Sequence, residues 1–188
     1  MLIIFSLWST APYIDLPNTL IAWLGWVLFL ILITWGMKFL WRSIKGKSLA
    51  WWVVVALLLM ITPLSTSLLG LGFPASSNLN IPEMPIDMGA PSVMLFSAIP
   101  WVLAAGITGP IPAVVLALVA GLTRALGETH SLFTIIEMGL LGLIFAWCVN
   151  QPYRSRLFSV LRHPLGAFVL TALMYIPIIM LLSLICRS

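Results

Sequence analysis

Long apolar runs separated by short polar breaks recur along the whole chain, and their lengths predict six membrane-crossing segments. These lie near Thr19–Trp41, Leu49–Leu69, Ser92–Ile107, Ile111–Leu126, Leu132–Val149 and Gly166–Ile185. Backbone groups in hydrocarbon must satisfy one another, and the Leu/Val/Ile runs lack the alternation of a barrel strand, so each segment is expected to be helical. The expected fold class is all-α: a polytopic membrane bundle of about six helices, one transmembrane domain over residues 1–188 with no soluble domain. The third and fourth segments are barely long enough to cross. The Gly/Pro-rich stretch Gly106–Pro112 between them predicts a tight helical hairpin, with Pro112 opening the fourth helix. Ala113, Ala117 and Gly121 recur every four residues and form a groove of small side chains, which Gly142 and Ala146 of the fifth segment can match. Pro63, Pro100 and Pro177 fall inside the second, third and sixth segments and predict kinks there.

Composition agrees with lipid as the main solvent: 62% of the residues are hydrophobic, 7% are charged, and the mean hydropathy is +1.15. Trp23, Trp26, Trp35, Trp41, Trp51 and Trp52 suit anchoring at the headgroup level. The net charge of +4 matters through its placement. Lys38, Arg42, Lys45 and Lys47 surround the first connection and Arg154, Arg156 and Arg162 the fifth, which makes loops 42–48 and 150–165 cytoplasmic. The Pro/Ser/Asn-rich loop 71–91, with only Glu83 and Asp87 as charges, is then extracytoplasmic, as are both termini. Cations confined to loops speak for the bilayer as partner and against nucleic acid. Met1–Trp8 has no basic n-region, so the first segment is expected to stay as an anchor. Cys148 and Cys186 fall at opposite ends of successive segments and are not expected to pair.

Polar groups inside or beside the membrane concentrate in one place, where the fourth and fifth segments join: Arg124, Glu128, His130 and Glu137. Glu137 lies about five residues into its helix, roughly 8 Å deep at 1.5 Å per residue, where an unpaired carboxylate is expensive. Arg124, near the outer end of the preceding antiparallel helix, can lower its guanidinium towards it, so an interhelical Arg124–Glu137 pair is expected. Such a pair either pins two helices or serves as a ligand site or switch. His130 can sense external acidity or simply be solvated, and Glu128 favours the start of the fifth helix. His163 belongs to the basic loop, facing lipid phosphate. No P-loop, G-x-G-x-x-G, nucleophile elbow, H-E-x-x-H or cysteine cluster occurs, so no enzymatic activity, cofactor or metal is expected. Two histidines near opposite surfaces give no paired haem ligands.

The stretch Gly109–Gly142, GPIPAVVLALVAGLTRALGETHSLFTIIEMGLLG, resembles the five-transmembrane receptor region of LytS-type sensor histidine kinases. The resemblance is carried by Gly109, Pro110, Gly121, Leu122, Arg124, Gly127, Thr134, Ile135, Glu137 and Gly139. Thr129–Thr134 and the Arg-containing loop after Gln151 are also similar to N-terminal membrane regions of multi-domain sensor kinases from green non-sulfur bacteria. The likeness implies a sensor in the bacterial plasma membrane that detects a small ligand or a membrane condition. It would pass a helix displacement, in a homodimer or through a cytoplasmic kinase partner. The sequence departs from the family in having Ala113 and Ala117 where glycines are usual, and no kinase domain follows within the 188 residues. Two other readings stay open: a substrate-binding subunit of a vitamin or metal uptake transporter, and a scaffold subunit of a larger membrane complex.

Overall fold

The computed structural model describes residues 2–3, 13–40, 48–67, 70–72, 92–94, 96–151 and 163–187. The basic residues of 42–47 and 152–162, and Glu83 and Asp87 in 73–91, lie outside the described residues.

Six helices account for most of the described chain: α1 (Leu20–Leu40), α2 (Leu49–Ser67), α3 (Ile99–Ile107), α4 (Pro110–Arg124), α5 (Leu132–Asn150) and α6 (Pro164–Arg187). Four stretches are long and apolar enough to cross a membrane, namely Leu20–Lys38, Leu49–Ser67, Pro110–Thr129 and Leu132–Asn150, with a shorter apolar stretch at Pro164–Ile178. Three short strands, β1 (Leu2–Ile3), β2 (Gly70–Gly72) and β3 (Ser92–Met94), form an antiparallel sheet in the order β1-β2-β3.

Burial separates the helices into two roles. In α5, 61% of the apolar window is buried and in α2 only 11%, so α4 and α5 are the centre and α1 and α2 the periphery. One cluster joins α3, α4 and α5 through Trp101, Ala104, Ala113, Ala117, Phe145 and Ala146; a second joins α1 to the central pair through Phe29, Ile33, Val114, Ile136 and Leu140. Large apolar side chains left exposed, such as Leu28 and Trp35 on α1, Met60 on α2 and Leu173 on α6, are what a lipid-facing surface requires.

The small-residue groove is where the central pair meets. A Cβ placed at Gly142 would lie 2.5 Å from the Cβ of Ala117, and one at Gly121 would lie 2.9 Å from both Ile135 Cα and Thr134 O. The two backbones therefore approach more closely than larger residues permit.

The third element corrects the sequence reading. The apolar run Ser92–Ile107 is not one span: it holds β3, a turn at Phe96–Ala98 and a helix of nine residues, about 14 Å long. Pro100 explains the late start. It occupies the first turn of α3, where its missing N–H has no intrahelical partner to lose, instead of kinking a longer helix. Segment 92–108 still runs antiparallel to the whole of α2. Its start pairs with β2 just past the end of α2, and Thr108 O accepts from Trp51 Nε1 at the beginning of α2, at 2.8 Å. The exposed carbonyls of so short a helix are covered. Ala105 O accepts from Asn150 Nδ2 at 3.1 Å, and Ala104 O accepts from the Thr108 hydroxyl and from the backbone N–H groups of Thr108 and Gly109, all at 2.9 Å.

The hairpin into α4 also begins earlier than expected. Gly109, at φ 106° and ψ −176°, adopts a conformation open to glycine, and Pro110, not Pro112, takes the first helical position. Pro112 sits two residues further, still within the first turn, where no intrahelical acceptor is lost. Pro63 and Pro177 do lie inside helices α2 and α6.

Candidate functional site at the α4–α5 junction

At its C-terminal end α4 does not stop but widens into a single π-helical turn, Ala125–Thr129. A left-handed residue, His130 at φ 50° and ψ 13°, then reverses the chain, and Ser131 caps α5 by accepting from Phe133 N–H at 3.3 Å. Thr129 and Thr134 tie the two sides of this turn through a hydroxyl pair at 2.7 Å. Single π turns inside helices recur at functional sites, because the extra residue per turn re-aims side chains and loosens the backbone ladder.

The turn brings the four sequence-selected residues into one neighbourhood but pairs them differently from the expectation. Arg124 Nε lies 3.2 Å from Glu128 Oε2, an i,i+4 ion pair across the π turn. Glu128 is thus part of the extension of α4 and not a charge placed before α5. Glu137 is half-buried on α5, with the Tyr175 hydroxyl of α6 as its polar neighbour; the Arg124 charge acts on both of these groups without being in ion-pair contact with Glu137 among the described bonds. The direct Arg124–Glu137 clasp is therefore replaced by a chain, Glu128 to Arg124 on one side and Glu137 to Tyr175 on the other. The physical reason is proximity along the helix: a side chain four residues on is reached without either helix having to approach.

Tyr175 is the residue that sequence reasoning missed. It lies in an apolar run and contributes a ring that lipid accepts, while its hydroxyl offers a half-buried acid a donor. The one signal in the sequence is a carboxylate about a turn and a half inside an apolar helix, which needs a polar partner from a neighbouring helix.

His130 is drawn away from the acids. Its Nδ1 donates to Tyr13 O at 3.1 Å and its ring stacks on Tyr13, centroids 3.8 Å apart and 10° from parallel. Asp15 N–H donates to His130 O at 2.7 Å, and Asp15 pairs with Ser131 as an isolated parallel bridge.

Among the described residues no three His, Cys, Asp or Glu side chains converge as a metal site. What the arrangement offers is one guanidinium paired with one carboxyl group and felt electrostatically by a second. The i,i+4 pair with Glu128, in which both side chains are mostly covered, leaves the charge of Arg124 acting on Glu137 as well. Searched against known proteins, the chain matches no family model, no curated protein and no solved structure.

Proposed function

We propose that this chain is a sensory module of the bacterial plasma membrane, in which Arg124, Glu128, His130 and Glu137, joined by Tyr175, form the ligand-responsive site. The reading rests on one observation above all: at a π-helical turn linking the two central helices, the Arg124 guanidinium pairs with Glu128 while its charge also acts on Glu137. Ionisable groups at such a depth carry function by default, and a ligand that engages Arg124 or Glu137 changes which partners hold α4, α5 and α6 together. The resulting helix displacement would pass to a kinase domain or partner on the cytoplasmic side, with the basic loops on that side and the α4–α5 junction outside. A homodimer is the expected assembly, as in the sensor kinases the sequence resembles.

The test is ligand-induced thermal stabilisation of the purified protein in lipid nanodiscs against a panel of metabolites. A ligand of this site should raise the unfolding temperature of the wild type, and this shift should vanish in Arg124→Gln and in Glu137→Gln. It should persist in Asn150→Leu, which perturbs the opposite end of the bundle. Equal shifts in all four proteins would place the response elsewhere and remove the basis of this reading.

A further inference from the structure

The approach to α1 does more than lead the chain into the membrane. Residues Tyr13–Asp15 are held on the α4–α5 turn by three contacts: the Tyr13–His130 stack, the His130 Nδ1 bond to Tyr13 O, and the Asp15–Ser131 bridge, to which the Asp15 N–H bond to His130 O belongs. All three fall on His130 and Ser131, the reversal between the π turn and α5. Because the acceptor is a carbonyl, the His130 ring must carry its proton on Nδ1, which fixes the tautomer. His130 is also the only non-glycine residue with positive φ among the described residues. The left-handed form is disfavoured for a residue with a side chain, so it persists where surrounding bonds hold it.

We infer that Tyr13–Asp15 is a latch, closed in this structure, which clamps His130 in its left-handed form, and that its release is the conformational step that opens the Arg124–Glu128 turn to the outside. The inference rests on the proposed site only for its purpose; the latch itself stands on the contacts. Several features make this segment a moving part and not a packed one. Tyr13 and Asp15 are exposed, so the strap is held at the surface and not packed into the core. Four residues, Leu16–Thr19, separate it from α1, so release need not unwind a helix. The turn it clamps is π-helical, a form that converts to ordinary α-helix by shifting one residue. Once freed, His130 can return to the right-handed region and the turn can rewind, and this changes the distance at which Glu128 meets Arg124.

The experiment places a single reporter thiol at Gly127, inside the turn, in a protein whose Cys148 and Cys186 are changed to Ala. Gly127 has no positive φ, so a side chain brings no backbone strain there. Labelling by a membrane-impermeant maleimide is then timed in nanodiscs, with and without Tyr13→Ala or His130→Ala. Tyr13→Ala removes the stack; His130→Ala removes the ring and its bond to Tyr13 O while keeping the backbone strain. Each should speed labelling between about twofold and tenfold, the change in opening equilibrium that one aromatic pair can hold. Tyr13→Leu, which keeps apolar bulk without a flat face for stacking, should behave as Tyr13→Ala and replaces it if that variant does not fold. Hydrogen exchange at the Asp15 amide should rise in parallel. An unchanged labelling rate in either the Tyr13 or the His130 variant overturns the latch. Faster labelling in both, in a protein whose ligand response ignores Arg124→Gln, leaves the latch standing and discards the sensor reading.

Discussion

Gly142 should be replaceable by alanine only if Ala117 gives way. The Cβ of an alanine at 142 would sit 2.5 Å from the Cβ of Ala117, which is fully buried and rigid on its own helix. Relief requires α4 and α5 to separate, and overpacking of this kind costs about 1–3 kcal/mol. Replacing a helical glycine returns about 1 kcal/mol, so the single variant should lose about 1 kcal/mol net. Ala117→Gly alone loses about 1 kcal/mol of helix propensity and about 0.8 kcal/mol for the methyl group removed from the contact. In the double variant the two methyl groups have merely changed sides. The next atom a Cβ at 142 meets is Ala113 O at 3.5 Å, an ordinary contact. Its stability should return to within about 0.5 kcal/mol of the wild type, which makes the coupling about 3 kcal/mol. Unfolding by dodecyl sulfate in mixed micelles, followed by helical circular dichroism across all four proteins of the cycle, measures this. Losses that simply add in the double variant would show that the helices are not in contact through these two positions.

Other substitutions probe the remaining features. Gly106→Ala, where a new Cβ meets nothing within 4 Å, should be neutral or stabilising by up to about 1 kcal/mol in the same unfolding assay, and a loss would contradict the open surroundings of α3. Asn150→Leu should lower stability by about 1–3 kcal/mol because it strands the Ala105 carbonyl, whereas the exposed Asn18→Leu should change little. Tyr175→Phe should shift the carboxyl infrared band that Glu137→Gln abolishes, since the hydroxyl beside Glu137 is gone; an unmoved band would mean that no α5–α6 bond is formed.

Where the apolar pattern is long and unbroken, the helices stand close to where the sequence puts them: α1, α2 and α5 begin and end within a few residues of the apolar runs. The misreadings share one cause, that periodicity reports burial and not hydrogen-bond geometry. The run 92–107 is mostly apolar and reads as one span, but Pro100 can only begin a helix cheaply, which leaves α3 nine residues long. Arg124, Glu128, His130 and Glu137 were recognisable because charges in an apolar chain are conspicuous. Their partners were not, because i,i+4 competition for Arg124 outweighs a contact between helices. Tyr175 read as one more apolar residue of α6. Contacts between Tyr13 and His130 span 117 positions, and no local pattern announces a partner that far away.

The brevity of α3 has a bearing on biogenesis. A nine-residue helix offers the translocon too little apolar length to be released into lipid by itself, and its last carbonyls find Asn150 Nδ2 only after some forty further residues have been synthesised. Strand β3 and α3 should therefore wait at the protein-lined exit, or at the bilayer surface beside α2, until the α4–α5 hairpin has entered. Truncation of the nascent chain between α4 and α5 would then leave α3 accessible to protease, while α1 and α2 were already protected.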